Sequence, residues 1–195
     1  MSPINIEVPE TIEGPRILLR RVAADDAPAI TEAVLESLDT LRPWMPWAHS
    51  ATIPEDIRAW VARAQAAWPL RDSLEMLIVE RATGRLLGNA GLPRLSWRVR
   101  SFEIGYWLRT SAEGHGYMRE AVQLLTRVAF QRLGANRVEI RIDPSNERSL
   151  NVAKRLGFVF EGTLRNIGLD AHGRLLDRSV FSLTPEDYRL LDWRI

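Results

Sequence analysis

The stretch that most constrains this chain runs from residue 102 to residue 158, where the order reads strand, glycine turn, helix, strand, asparagine turn, helix. Phe102-Glu103-Ile104-Gly105-Tyr106-Trp107-Leu108-Arg109 has strand composition. Its period of two puts Phe102, Ile104, Tyr106 and Leu108 on one face, and Glu103, Gly105, Trp107 and Arg109 on the other. The turn is Glu113-Gly114-His115-Gly116-Tyr117-Met118. The helix from about Tyr117 carries Met118, Ala121, Val122, Leu125, Ala129 and Leu133 on one side and closes at Gly134. Val138, Ile140 and Ile142 share a face of the next strand. Asp143-Pro144-Ser145-Asn146 then opens a helix that closes at Leu156-Gly157-Phe158. One central β-α-β crossover of this kind makes its two strands parallel.

Hairpins surround that unit. Residues 16–22 read as a strand, and Asp25 or Asp26 caps a helix with Ala27, Ile30, Val34, Leu38 and Leu41 inward. Two prolines in Leu41-Arg42-Pro43-Trp44-Met45-Pro46-Trp47 end it. Trp44 and Trp47 read either as a ligand-facing wall or as plugs of the core under the loop. Thr52 and Pro54 start a second helix, with Ile57, Trp60, Val61, Ala64 and Trp68 inward and Pro69 at its end. Residues 74–80 and 86–92 form a hairpin. A basic loop follows at 93–101, with Arg94, Arg98 and Arg100 around Trp97. Residues 159–169 and 175–183 form a last antiparallel pair joined by 170–174, and Thr184 caps a terminal helix through Leu191. Residues 1–14 read as a loosely packed arm. The expectation is one α/β (α+β) domain over 1–195: a mixed, mostly antiparallel central sheet of about seven strands with helices on its faces.

Composition narrows the function classes. With 26 basic and 25 acidic residues the net charge is +1, which gives no support for broad nucleic-acid or membrane-surface binding. There is no cysteine, so a thiolate nucleophile and Cys-ligated metal are excluded. His49, His115 and His172 do not stand at metal-ligand spacing, and no metal is expected. No leader-like segment and no apolar run of membrane-spanning length is visible, so the expected compartment is the cytoplasm.

A strand entering a glycine turn at a helix N-terminus presents free N–H groups and the positive end of a helix dipole, an anion site suited to a pyrophosphate. Two familiar nucleotide motifs fail here. No Gly-x-x-x-x-Gly-Lys-Ser/Thr string exists, and the third glycine of a dinucleotide fingerprint is replaced by Arg119. Taken alone, the turn also fits a plain strand-to-helix connection. Asn146, Ser149 and Asn151 cluster at the start of the second helix, where Asn146 also reads as an N-cap.

As a set these motifs resemble the GNAT superfamily of acyl-CoA-dependent N-acetyltransferases, and more narrowly its RimJ/RimL group. The similarity covers Arg16-Ile17-Leu18-Leu19-Arg20, the Leu41–Trp47 loop, Glu103-Ile104-Gly105-Tyr106-Trp107-Leu108 and Gly114-His115-Gly116-Tyr117-Met118-Arg119-Glu120-Ala121. It continues through Asn146-Glu147-Arg148-Ser149, Lys154-Arg155-Leu156-Gly157-Phe158, Glu161-Gly162-Thr163-Leu164-Arg165 and Gly173-Arg174-Leu175-Leu176-Asp177. Glu113 replaces the usual Arg or Gln of the turn, and Met118 its usual Gly or Ala.

The resemblance implies acetyl-CoA as cosubstrate. Its pantetheine would pair with the 102–109 strand, near Trp107, Leu108 and Arg109, and its pyrophosphate would lie on the amides of Gly114, His115, Gly116, Tyr117, Met118 and Arg119. Asn146 would hydrogen-bond the pantetheine arm or an ordered water near it, and Ser149 is a further cofactor-binding candidate. The acceptor is a primary amine: a protein N-terminus, an aminoacyl conjugate or a small amine. An α-amine has a pKa near ~8, so a base need only complete its deprotonation. Glu103 is the candidate base, directly or through a water, and Ser149 the candidate acid for the leaving thiolate. Unpaired backbone N–H groups near Trp107–Arg109 are candidate oxyanion donors. Trp44, Trp47, Trp97 and Glu103 are the candidate acceptor contacts. Two other readings stay open: another acyl donor such as succinyl-CoA, with Arg98, Arg100 or Arg109 meeting its carboxylate, and a non-catalytic CoA-binding module. A homodimer is compatible with all three.

Overall fold

The computed structural model describes residues 3–50 and 52–193. Its strands are β1 (Thr11–Glu13), β2 (Ile17–Arg21), β3 (Leu74–Glu80), β4 (Leu86–Ser96), β5 (Ser101–Leu108), β6 (Arg137–Ile142), β7 (Val159–Leu169) and β8 (Leu175–Leu183). They form one sheet in the order β1-β2-β3-β4-β5-β6-β8-β7. Every neighbouring pair is antiparallel except β5 and β6. The helices are α1 (Ala27–Glu36), α2 (Leu38–Leu41), α3 (Ile53–Leu70), α4 (Tyr117–Gln131), α5 (Glu147–Arg155) and α6 (Pro185–Arg189).

The alternation of β5 sorts the two cores. Phe102 and Ile104 are buried with Ala121, Val122 and Leu125 of α4, Val138, Ile140 and Ile142 of β6, and Ala153 of α5. Trp107 packs on the opposite side, against a smaller core of Ile30 and Val34 from α1 and Ile57 and Val61 from α3. Helices α4 and α5 therefore cover one face, and α1 and α3 the other. Each fully buried Leu, Ile or Phe contributes about 1.5–3 kcal/mol, so these two cores outweigh any surface pairing in the molecule.

The sheet holds eight strands, in line with the expected count of about seven, the additional one being β1. Residues 11–13 lie within the segment read as a loose arm, yet they pair with β2 and bury Ile12. Met1 and Ser2 of that arm lie outside the described residues. The first helix breaks at Ser37, whose Oγ donates to the Ala33 carbonyl at 2.7 Å. Pro69 lies inside the last turn of α3, and the stop comes at Arg71, in the left-handed region at φ 61°. Strand β4 runs on through Pro93 to Ser96, four residues beyond the expected end.

That extension shapes the site. Gly91 pairs with Gly105 and Arg94 with Glu103, so Leu92 and Pro93 together face Ile104. This is a β-bulge, and a bulge tolerates a proline that has no N–H to give. Opposite it β5 leaves β6: their pairing covers only Ser101–Arg137, Phe102–Val138 and Glu103–Glu139. Beyond Glu103, β5 stays on β4 as far as the Gly88–Leu108 pair, while β6 stays on β8 as far as Ile142–Ser179. A wedge opens between them.

At the far edge, β7 exposes Val159, Phe160, Leu164, Ile167 and Leu169, and its register to β8 shifts twice. On the inner side, β4 and β5 approach so closely that a Cβ on Gly88 would stand 2.2 Å from the Trp107 carbonyl oxygen. Gly88→Ala forces β5 outward. A loss of about 1–3 kcal/mol is expected, read as a lower midpoint in urea unfolding.

Candidate active site

The wedge exposes one edge of β5. The Arg109 N–H donates to the Leu87 carbonyl at 2.7 Å. Alternation in an antiparallel ladder then turns the polar groups of Gly105, Trp107 and Arg109 toward β4, and those of Ile104, Tyr106 and Leu108 toward the wedge. The free donors on this edge are therefore those of Tyr106 and Leu108; within the expected 107–109 stretch Leu108 faces the wedge, while Trp107 and Arg109 are turned to β4. Nor does the Arg109 side chain reach the wedge. It is buried against α1, with Nη2 2.8 Å from Glu32, Nε 3.0 Å from Glu36 and Nη1 3.0 Å from the Leu86 carbonyl.

The glycine turn sits at the top of β5. Gly114 and Gly116 adopt φ of 78° and 79°, which an L side chain resists, and Gly116 is the N-cap of α4. The first α4 amide to bond back is that of Glu120, to the Gly116 carbonyl at 3.2 Å. Ahead of it lie the amides of Tyr117, Met118 and Arg119, the donors every helix start leaves open. The Met118 side chain is buried in the core, so only its main chain faces the turn. Glu120 ties the turn to β2: its carboxylate accepts the Arg16 N–H and Nε–H at 2.8 Å each and the Ile17 N–H at 3.1 Å. Arg16 Nη1 in turn donates to the His115 carbonyl at 2.8 Å. Nδ1 of His115 lies 2.8 Å from the Glu113 carbonyl, and its ring stacks on Tyr117. The Glu113 carboxylate is not loose charge beside the anion site, because Arg148 of α5 pairs with it across the top of the wedge.

On the α5 side, Asn146 is the N-cap, its Oδ1 accepting the Ser149 N–H at 3.1 Å. No partner for its Nδ2 is found among the described residues. Ser149 Oγ stands 2.7 Å from the Tyr106 hydroxyl, which links α5 to β5. Burial pushes the Tyr106 phenol up to about 12, an effect its hydrogen bond with Ser149 only partly offsets.

The opposite face of the wedge is polar. Glu103 accepts from Arg94 Nη1 at 2.9 Å and lies 3.5 Å from Arg141 Nε. The series continues through Arg141–Glu139 at 2.7 Å, Arg137–Glu139 at 2.8 Å and Arg137–Glu161 at 2.5 Å. Trp47, 40% exposed, meets Trp107 edge-on at 6.3 Å, and Trp44 beside it is half-buried. The loop carrying them also reaches the β7–β8 turn, where His49 and His172 stand 5.4 Å apart. Trp97 is elsewhere: it packs on Phe102 at 5.0 Å and donates to the Arg71 carbonyl at 2.8 Å, at the closed end of β5.

Two residues escaped the sequence reading. Tyr106 was visible only as one apolar-face residue of a strand. Glu75 of β3 shares a row with Gly91 and Gly105 on the Glu103 face, and a Cβ on Gly91 would stand 2.6 Å from its Oε2. Burial raises the Glu75 carboxyl above the usual carboxylate range, with partial relief from Asn89 Nδ2 at 3.2 Å. An acidic residue in the Leu74-Glu75-Met76-Leu77-Ile78 run was the available signal.

Residues 16–159 match the family model described as an acetyltransferase (GNAT) domain. The chain belongs to the GNAT acetyltransferase family, in its RimJ/RimL-like branch. It is 35% identical over 111 residues to the uncharacterized N-acetyltransferase p20 of Bacillus licheniformis, spanning 57% of this chain and 62% of that protein. It is 30% identical over 175 residues to YdaF of Bacillus subtilis strain 168, provisionally named a ribosomal N-acetyltransferase, spanning 88% of this chain and 93% of that one. The fold is shared with RimL, a ribosomal L7/L12 α-N-protein acetyltransferase solved with coenzyme A. That match has a TM-score of 0.83 at 23% identity and covers 90% of this chain and 98% of the other. Among the described residues no helix is long and apolar enough to cross a membrane.

The Glu36 carboxyl is held at about 2, first by its hydrogen bond from Arg109, against 4.5 for a free glutamate. The folded value lies below the unfolded one. The stabilisation is therefore complete above pH 4.5 and disappears as pH falls toward about 2. In urea titrations across that window, the stability gap between the parent chain and Glu36→Gln should narrow steadily with acidification.

Proposed function

We propose that this chain transfers an acetyl group from acetyl-CoA directly to a primary amine. The observation that carries the reading is the wedge. It offers the unpaired β5 edge at Tyr106 and Leu108, in line with the open amides at the start of α4. An extended, amide-bearing arm ending in a pyrophosphate fits that arrangement: the arm adds to the strand edge and the phosphates meet the helix start. Asn146 directs its Nδ2 to the arm while its Oδ1 caps α5.

The acceptor approaches from the Glu103 face, between Trp47, Trp44 and the β7–β8 turn. Its nitrogen forms the new C–N bond as the C–S bond breaks, and one proton must leave the nitrogen while one reaches the sulfur. N–H groups of the β5 edge stabilise the carbonyl oxygen during the exchange. Ser149 gives the hydrogen bond to the departing sulfur. Two carboxylates can take the other proton. Glu103 faces the wedge mouth but is neutralised by Arg94 and Arg141, which favours a role in holding the incoming ammonium. Glu75 has no cationic partner among the described residues, and burial raises its pKa above that of a free glutamate, which makes it the stronger base of the two. The names of YdaF and RimL favour a protein N-terminus as acceptor. A succinyl donor draws less support, because Arg109 is occupied by Glu32 and Glu36.

Acetyl-CoA should raise the melting temperature, by the equivalent of about 2.7 kcal/mol at a hundredfold excess over Kd. Asn146→Ala should shrink that rise, and no rise at millimolar acetyl-CoA would overturn the donor assignment. A panel of Ser- and Ala-starting peptides, aminoacyl nucleotides and polyamines, followed by thiol release, would identify the acceptor. The chain adds no thiol background, having no cysteine. With the best acceptor, Glu75→Gln should abolish the acidic limb of the kcat/KM profile, and Glu103→Gln should instead raise KM for the amine. The opposite pattern would return the base to Glu103.

A further inference from the structure

The Tyr106–Ser149 hydrogen bond joins the free edge of β5 to the first turn of α5, at 2.7 Å across the wedge. A phenol O–H is a stronger acid than an aliphatic one, so Tyr106 is the better donor of the pair. With its ionisation pushed up to about 12, the phenol keeps its proton at any working pH. Raised that far above the pKa of a thiol, it would give up its proton to a thiolate only uphill, so full transfer from Tyr106 is disfavoured. What it can do is orient. Once the Ser149 oxygen accepts from Tyr106, the serine's own hydrogen must point elsewhere. Among the described residues, Ser149 Oγ has no second protein partner. Its main-chain N–H is already fixed by Asn146 at 3.1 Å, so the turn bearing the hydroxyl is held as well. The neighbouring charge, Arg148, is taken up by Glu113.

We propose that Tyr106 is a positioning residue. It fixes Ser149 Oγ as an acceptor and thereby directs the serine hydrogen onto the sulfur of the bound thiol carrier, which lowers the thiol pKa and eases departure of the thiolate. The proposal rests on the acyl-CoA reading above. No bond to Tyr106 forms or breaks; the tyrosine sets the direction of a hydrogen bond that Ser149 donates.

The experiment uses the full chain and coenzyme A, and needs no acceptor. Coenzyme A is the only thiol in the mixture, because the protein has no cysteine. The pKa of bound CoA is read from the pH dependence of its alkylation by iodoacetamide under excess protein, with carbamidomethyl-CoA quantified by chromatography. Ser149→Ala should raise that pKa by about one unit, the scale of one charge-assisted hydrogen bond. Tyr106→Phe should raise it in the same direction, and should add nothing in the Ser149→Ala background. Placing 3-fluorotyrosine at 106, a stronger donor, should lower it, which keeps a test available if Tyr106→Phe folds poorly. A shift from Ser149→Ala with none from Tyr106→Phe or the fluorotyrosine overturns the proposal. So does a Tyr106→Phe shift that persists without Ser149, or no shift in any variant. A CoA-induced rise in melting temperature, measured on the same samples, separates these failures from failure of the donor reading, in which no protein shows the rise.

Discussion

The bulge at Leu92 and Pro93 opposite Ile104 is the constraint on which the rest depends. Strand β5 cannot follow β6 beyond Glu103, because β4 holds it to Leu108 on a locally sharpened twist. Strand β6 cannot follow β5, because β8 holds it to Ile142. Neither neighbour yields, so two parallel strands that begin paired must separate. An edge strand inside a sheet is normally a liability, since its N–H and C=O groups lack partners. Here the unpaired groups of Tyr106 and Leu108 face a space bounded by α4, α5 and β6, so they are open only to a ligand of strand-like width.

Charged groups divide by what they hold. Glu120 and Arg109 are buried, and both act on main chain: Glu120 binds the start of β2, and Arg109 binds the Leu86 carbonyl while anchoring α1. Glu120 thereby ties the glycine turn to β2, and Arg109 fixes the end of β5 that leads into it. The row from Arg94 through Glu103, Arg141, Glu139 and Arg137 to Glu161 is different, since it runs across strands on the face that α1 and α3 leave uncovered. Alternating signs keep that floor near neutral overall while presenting directional donors and acceptors. Such a floor distinguishes molecules that meet it by arrangement of groups more than by net charge.

The fold was legible wherever period and punctuation agreed. Residues 159–169 and 175–183 form β7 and β8 over the expected bounds, and α4 begins at Tyr117 after Gly116, because alternation and glycine are local signals. Strand β1 was not legible: three residues between Pro9 and Gly14 carry too little pattern, and Ile12 is buried only because β2 lies beside it. Pro93 was read as the end of a strand, since the bulge that admits it depends on β5. In the site, the turn residues and the Asn146–Ser149 helix start came from local motifs. The destination of a long side chain did not: Arg109 turns to Glu32 and Glu36, 77 and 73 residues away, and Trp97 turns to Arg71. Tyr106 and Glu75 were missed for the same reason, because their surroundings exist only once three elements meet.

The irregularity of β7 has a consequence for the chain in concentrated solution. This strand forms one border of the sheet and displays Val159, Phe160, Leu164, Ile167 and Leu169, a composition that ordinarily templates the addition of further chains. Gly162 at φ 150° and Asn166 at φ 55° coincide with the two breaks in its register, so the border is twisted and no long flat run is offered. A bent border of this kind opposes the edge-to-edge addition that its exposed apolar side chains would otherwise invite.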